Sequence, residues 1–380
     1  MTENPLALPG NFSGTRPDDV KTAIQAAQQK GINVAEHAGF QALIAHLLKE
    51  FKKREARYAP NTLRRLESAW RGFVDWCVTN QRHSLPATPD TVEAFFIARA
   101  EALHRNALSV YRWAISRIHR VSGCPDPCQD VYVEDRLRAI TRNKVRDGEA
   151  IKQASPFHEQ HLLKLTALWY RSDKVLLRRN LALLAVAYES MLRAAELVNI
   201  RLQDLALAGD GTATLTIPIT KTNHSGEPDT CVLSQEVVGL LMDYTEAGKL
   251  DMRGDGFLFV GVSKHNACLR PKADKETGQL QHKPITPKTV EGVFYTAWEV
   301  LELKRQNVVP FTAHSARVGA AQDLLKKGYN TLQIQQSGRW ASGTMVVRYG
   351  RAILAREGAM AHSRIKTRPT RMNWGHPGDG

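Results

Sequence analysis

Apolar residues recur at helical spacing over most of the first 150 positions of this chain. In "FQALIAHLLKEFKKR", Phe40, Leu43, Ile44, Leu47 and Phe51 occupy positions i, i+3, i+4, i+7 and i+11, which places them on one face of a 3.6-residue helix. "NTLRRLESAWRGFVDWCVTN" repeats the pattern after Pro60. "TPDTVEAFFIARAEAL" supplies Thr88 as an N-cap, with Pro89 in the first helical position. "RNALSVYRWAISRIHR" and "VYVEDRLRAITRNKV" complete a set of about five helices in a domain spanning 38–146. No stretch there alternates with the period of two that a half-buried strand requires.

The pattern then breaks. "RDGEAIKQASPF" is polar, charged and Pro-interrupted, so it predicts an interdomain linker over 147–157. Beyond it, "HEQHLLKLTALW" and "VLLRRNLALLAVAYESML" are helical, whereas "TATLTIPITK" alternates with period two. "SGEP" reads as a turn and "TCVLS" as the returning strand, and "ITPKTVEGVFYTAWEVLEL" is helical again. The expected second domain, 158–365, is therefore α+β with a small antiparallel sheet. Residues 1–37 mix Pro, Gly and Asn around one weakly amphipathic stretch, "PDDVKTAIQAAQQK", and are expected to form a loosely held extension. A Pro-, Arg- and Gly-rich tail, 366–380, closes the chain.

A length of 380 residues suits two domains, each with its own core. The formal charge of +14 narrows the partner, because a surplus of this size favours a polyanion. No basic leader precedes an apolar run, and no stretch approaches the ~20 apolar residues that span a bilayer. A soluble, intracellular protein is expected. Its five cysteines are too few and scattered for a disulfide framework. Cys124, Cys128 and nearby His119 lie around a Pro-rich turn, "GCPDPCQD", with no second ligand pair, so no metal site is expected.

Candidate chemistry gathers late in the chain, in "HSARVGAAQDLLKKGYNTLQIQQSGRWASGTMVVRYG". His314 and Arg317 are three apart in a segment that Thr312 can cap, so on a helix they share a face and can address one anion. Arg193 and Glu196 in "MLRAAELVNI" have the same spacing. Lys221 falls between the two strands, where a hairpin tip can reach over a groove, and Tyr349 follows Trp340 by nine residues. Taken singly, each has a plain structural role: surface ion pair, helix cap, core indole, loop lysine, amphipathic phenol.

Taken in order, Arg193, Lys221, His314 with Arg317, Trp340 and Tyr349 resemble the signature of the tyrosine recombinases, also called the phage integrase family. Tryptophan at 340, where most integrases carry a second histidine, favours the Cre subgroup, as do "HSARVGAAQDLL" and "TVEGVF". The resemblance covers about 38 to 365. It implies a mainly α fold with a small antiparallel sheet: a helical core-DNA-binding domain and an α+β catalytic domain, closing as a C-clamp around duplex DNA. It further implies that Tyr349 is the nucleophile, Lys221 the general acid, His314 the base, and Glu196 a support for the basic groups.

The residue types make chemical sense of those roles. Attack of a phenol on a phosphodiester builds negative charge on the non-bridging oxygens, which the forked donors of Arg193 and Arg317 match. His314 and the Trp340 indole complete the cradle. One phosphoester replaces another, so no ATP is needed, and the sequence holds no nucleotide-binding Gly-rich Lys loop and no carboxylate cluster for catalytic magnesium. No cofactor is expected.

The likeness also implies a double-stranded DNA partner with inverted-repeat sites. On two such sites four protomers would assemble and exchange strands through a Holliday junction, the protein being monomeric when free and independent of accessory proteins. Arg64, Arg65, Asn106, Ser109 and Arg112 on two helices are candidate DNA contacts. Lys288 falls where the subgroup places a guanine-reading arginine, and a lysine there lacks the bidentate fork. "GRAILAREGAMAHSRI" after Tyr349 keeps an amphipathic pattern that, in this family, docks into a neighbouring subunit. Location in a bacterial cytoplasm, on nucleoid or plasmid, follows. Open alternatives are a type IB topoisomerase, a non-catalytic DNA-binding plasmid-maintenance factor and an arm-binding integrase.

Overall fold

In a computed structural model of the chain, residues 14–217, 227–252 and 254–356 are described. Lys221, Ser225 and Gly226 of the "SGEP" turn, and everything from 357 onward lie outside them. The described residues are predominantly helical and form two compact units that divide between Ile151 and Lys152, inside the stretch 147–157. Among the described residues, no helix is long and apolar enough to cross a membrane.

The first unit holds α1 (Pro17–Gln29), α2 (Ala38–Lys53), α3 (Pro60–Thr79), α4 (Pro89–Ala100), α5 (Arg105–Val121) and α6 (Val131–Arg146). Sequence spacing dictates the packing. Phe40, Leu43, Ile44 and Leu47 of α2 are buried, and Phe73, Phe95, Phe96, Leu108 and Ile115 join α3, α4 and α5 in a second cluster. The Thr88 side chain accepts a hydrogen bond from Thr91 N at 3.2 Å and caps α4 as its sequence requires.

Residues 17 to 29 depart from the loosely held extension expected as far as position 37. Val20, Ile24 and Ala27 of α1 are buried against the α2 stripe. A stripe of three small or branched residues is a weak signal alone, and it suffices here because α2 offers a complementary one.

His119 and its neighbouring cysteines belong to this core. The ring engages both nitrogens, Nδ1 with Ile115 O at 2.8 Å and Nε2 with Ala87 N at 2.9 Å. Burial pushes the thiols of Cys124 and Cys128 up to about 11 and about 12, which keeps them protonated and apolar in character.

The second unit opens with α7 (Glu159–Trp169) and α8 (Val175–Ser190). From Leu181 to Ala187 every residue of α8 is buried, so this helix shows no amphipathic period and forms the axis of the core. The short α9 (Ala194–Leu197) leads into an antiparallel sheet, β1 (Leu205–Leu207), β2 (Ala213–Ile217) and β3 (Asp229–Leu233), in that spatial order. In register, Leu215 faces Leu205 on one side and Cys231 on the other. Next come α10 (Gln235–Ala247), a two-stranded pair β4 (Lys272–Ala273) and β5 (Leu280–Gln281), and α11 (Pro287–Val300). Last are α12 (Ser315–Lys326), α13 (Thr331–Ser337) and α14 (Thr344–Arg356).

Phe157, the last residue before α7's cap, lies directly against α12. Its N–H donates to Ser315 O at 2.9 Å, and its backbone passes so near Gly319 that a Cβ there would collide with the Phe157 carbonyl. Alanine at 319 therefore gains a better helix former and loses the approach. A backbone obstacle cannot rotate aside, so overpacking, costing about 1–3 kcal/mol or more, outweighs a propensity gain of about 1 kcal/mol. Gly319→Ala is expected to lower the melting temperature of the second unit by about 2 °C or more by differential scanning calorimetry. Gly292→Ala on α11, with nothing within 4 Å of the added methyl, is expected to leave it unchanged or raise it.

Candidate active site

The site forms where the end of α8 meets α12, α13 and α14. Met191 stops α8 in the left-handed region, φ 51° and ψ 31°. A methionine adopts that conformation only when its surroundings hold it there, at about 1–3 kcal/mol. The turn points the Met191 carbonyl toward α12 and delivers Arg193 to the start of α9. Glu196, its side chain almost wholly buried, receives Arg193 Nη1 at 2.7 Å and Arg193 N at 2.8 Å. The carboxylate thus fixes both the backbone and the guanidinium of Arg193, as the i, i+3 spacing suggests.

On α12, Arg317 is 1% exposed. Its Nη1 donates to Met191 O and its Nη2 to Gly338 O at 3.0 Å, and the guanidinium carbon lies 5.1 Å from the Trp340 ring centroid. Two of five N–H groups are therefore bound to carbonyls that set the plane of the fork. Arg317 Nε is buried without a hydrogen-bond partner among the described residues. An unmatched buried donor of this kind is rare and costly.

Tyr349 sits in the middle of α14 and not ahead of a separate helix: α14 runs unbroken from Thr344 to Arg356. The phenol is 5% exposed, in a cluster with Val318, Ala321, Leu325, Ile334 and Trp340. Its oxygen is hydrogen-bonded to His314 Nε2. The Trp340 ring stands edge-on at 5.6 Å and 69°, and the His314 ring at 5.7 Å and 73°. Ile353 and Leu354, from the amphipathic stretch after Tyr349, pack on this same cluster; Met360 and Ala361 lie outside the described residues.

The charges around the phenol act together. His314 keeps an exposed edge, yet partial burial and then the charges of Arg317, Arg193 and Arg348 hold the imidazole down toward about 4. At neutral pH it is uncharged and Nε2 can accept a proton. Burial raises the Tyr349 phenol, while Arg317, Arg348 and Arg193 pull it down. Burial and the neighbouring Arg193 lower Arg317 to about 10, still fully protonated at pH 7, with Glu196 opposing them. Arg193, Glu196, His314, Arg317, Trp340 and Tyr349 thus converge.

Arg64 and Arg65 of α3 and Asn106 and Ser109 of α5 are exposed in the first unit, and Lys288 in the first turn of α11 is exposed in the second. Arg112 is partly exposed, and its guanidinium is held by Glu134 at 2.6 Å and by Cys128 O at 3.4 Å. Residues 106, 109, 113, 117 and 120 form one stripe along α5, and 112 lies at its edge, beside Ser109. Arg117 and Arg120, not singled out from sequence, end that stripe about 16 and about 21 Å from Asn106. They line a cavity of about 1350 Å³ together with Arg16, Lys21, Arg54 and Arg57. Arg117 stacks near Phe51 and Tyr58, at 5.8 and 5.3 Å from the ring centroids.

Comparison with known proteins points to one family. A family model described as the phage integrase family matches residues 160–354. The recombinase Cre of Escherichia phage P1 is 30% identical over 320 residues, which cover 83% of this chain and 90% of that protein. Among solved structures, the XerH site-specific recombinase bound to a palindromic difH substrate, in a post-cleavage complex, has a TM-score of 0.50 at 16% identity, covering 72% of both chains. The Tn1549 transposon integrase in complex with circular intermediate DNA has a TM-score of 0.54 at 13% identity, over 83% of this chain and 99% of that one. At those identities the two structures speak for the fold.

Proposed function

This chain belongs to the phage integrase family, the tyrosine recombinases, and from that membership and its site we propose a site-specific recombinase acting at short inverted-repeat sites in double-stranded DNA. One observation carries the reading. A phenol is paired with a neutral imidazole beside a buried guanidinium that has a donor to spare. That combination suits in-line attack on a phosphodiester better than any structural role.

In the proposed reaction Tyr349 Oη bonds to the scissile phosphorus as the bond to the 5′ oxygen breaks, leaving a 3′-phosphotyrosine. The phenolic proton passes to His314 Nε2. Arg317 Nε and Arg193 donate to the non-bridging oxygens, where charge develops. Glu196 holds the Arg193 fork, and the Trp340 indole edge flanks the phenol. Lys221, outside the described residues, is assigned by the sequence pattern to protonate the departing 5′ oxygen. Reversal with a second strand's 5′ hydroxyl rejoins the DNA without external energy, through a Holliday junction. Four protomers on two sites are the proposed assembly, with residues beyond Arg356 docking between neighbours. The stripe of α5, the exposed arginines of α3 and Lys288 are the proposed DNA contacts, in which phosphate pairing dominates affinity.

The test is covalent capture on a nicked duplex carrying a site selected by binding, followed by sequencing of the captured ends. We expect protein joined to a 3′ phosphate at a fixed position. Capture should be measured at DNA concentrations below Kd, where the rate reports the free protein. Because His314 must be neutral to accept the proton and titrates toward about 4, the rate should hold level across neutral pH and fall as pH drops toward that value. Loss of half the rate near the ordinary histidine pKa of about 6.5 would show an imidazole that burial and the neighbouring arginines do not hold down.

A further inference from the structure

Two adjacent side chains of α12 reach in opposite directions. Gln322 Nε2 donates to Tyr349 O at 2.9 Å, across to α14. At that crossing Gly350 allows close contact, since a Cβ there would collide with Leu325 Cδ1. Asp323 reaches back to where the chain enters the second unit. It accepts from His158 Nδ1 at 2.7 Å, from Glu159 N at 2.9 Å and from Tyr188 Oη at 2.8 Å, with its side chain only 12% exposed. Those donors hold its carboxyl down to about 2, against the effect of burial. With the Phe157 to Ser315 bond and the Gly319 approach, residues 157–159 are fastened along α12 at three points.

On the other face α14 is held through apolar packing: Val346, Tyr349 and Gly350 are buried, and Met345, Ile353 and Leu354 pack on the same cluster. Such packing is not directional, whereas the Gln322 amide makes a directional contact to the nucleophile's own residue. A misplacement of about 1 Å between reacting groups lowers a rate by about 100-fold.

We propose that Gln322 and Asp323 are positioning residues for strand cleavage. Asp323 fixes α12, and with it His314 and Arg317, to residues 158–159 and Tyr188, and Gln322 fixes the Tyr349 helix to α12. The assignment rests on Tyr349 being the nucleophile.

The experiment uses the full chain and three readouts: single-turnover capture at saturating protein, Kd for the same duplex by fluorescence anisotropy, and the ¹⁵N resonance of His314 Nε2, assigned with His314→Gln. Gln322→Met keeps the shape and removes the donor. It is expected to slow capture by about 10-fold or more at a Kd within about twofold, and to move the Nε2 resonance toward its position in Tyr349→Phe. Gln322→Arg restores a donor and should bring capture back to within about threefold of wild type. Asp323→Asn should slow capture by about 10-fold with Kd unchanged. Unchanged capture and resonance in Gln322→Met overturn the proposal. So does failure of the arginine to rescue, or an equal loss of rate and affinity with a lowered melting temperature, which marks mere support of the fold. If wild type itself forms no covalent complex, the recombinase reading falls, while the resonance shift still decides whether Gln322 sets the Tyr349 to His314 geometry.

Discussion

Tyr349→Phe is expected to abolish covalent capture of DNA, with a fall in strand cleavage of at least about 10⁴-fold, while duplex binding stays within about threefold of wild type. The substitution removes one oxygen. The ring stays in a cluster of Val318, Ala321, Leu325, Ile334 and Trp340, to which phenylalanine is well suited. The hydrogen bond lost, to His314 Nε2, is worth about 1 kcal/mol net, and His314 recovers solvent contact at its exposed edge. Stability should therefore change by less than about 1 kcal/mol, and any loss of cleavage is chemical. Among the described residues, Tyr188 is the one other tyrosine in contact with this cluster, and it is not placed to substitute. Its hydroxyl donates to Asp323, and burial beside that carboxylate pushes its titration upward. Gel-stable complexes on a nicked site, compared for wild type and Tyr349→Phe, decide the matter; undiminished capture by the phenylalanine variant would remove Tyr349 as nucleophile.

Much of this site was legible because its chemistry is carried by short-range spacing. Arg193 with Glu196, and His314 with Arg317, are three apart, and a helix turns such pairs into neighbours whatever the rest of the chain does. The period-two run from Ala213 gave β2, and Thr88 with Pro89 gave the start of α4. What the sequence hides is set by tertiary closure. Nothing local announces that Met191 adopts a left-handed turn, so nothing announces that its carbonyl and that of Gly338 aim the Arg317 fork. Strands of two or three residues such as β1, β4 and β5 are too short to display a period. α1 is hidden by its polar composition, and the pairing of Arg112 with Glu134 is set by where α6 packs on α5. Gln322 and Asp323 look like ordinary surface residues of an amphipathic helix until α14 and residues 158–159 arrive from far away in the chain.

Arg317→Met should separate activity from stability most sharply. Methionine approximates the buried volume without charge or donors, so it deprives the Met191 and Gly338 carbonyls of their partners, at about 1–3 kcal/mol each. Against this, burying a guanidinium beside Arg193 is itself unfavourable: burial and that like charge together bring Arg317 down to about 10. Removing a buried charge in favour of an apolar side chain returns several kcal/mol of desolvation. The two effects oppose each other and are of similar size, so unfolding in urea should shift by no more than about 2 kcal/mol in either direction. Cleavage has no such compensation. The unpartnered Nε, the donor proposed for the non-bridging oxygen, disappears, and loss of one such donor costs about 10²–10³-fold in rate. Loss of the charge adds to it, so a fall of about 10³-fold or more is expected, with His314 released from the cation that helps keep it neutral and titrating higher. Arg317→Lys tests the fork itself: it keeps a cation but lacks the planar array that two carbonyls and a phosphate share, and should recover little of the rate. If the methionine variant unfolds in proportion to its lost activity, or the lysine variant cleaves as wild type does, Arg317 is a structural residue and the phosphate cradle must be drawn without it.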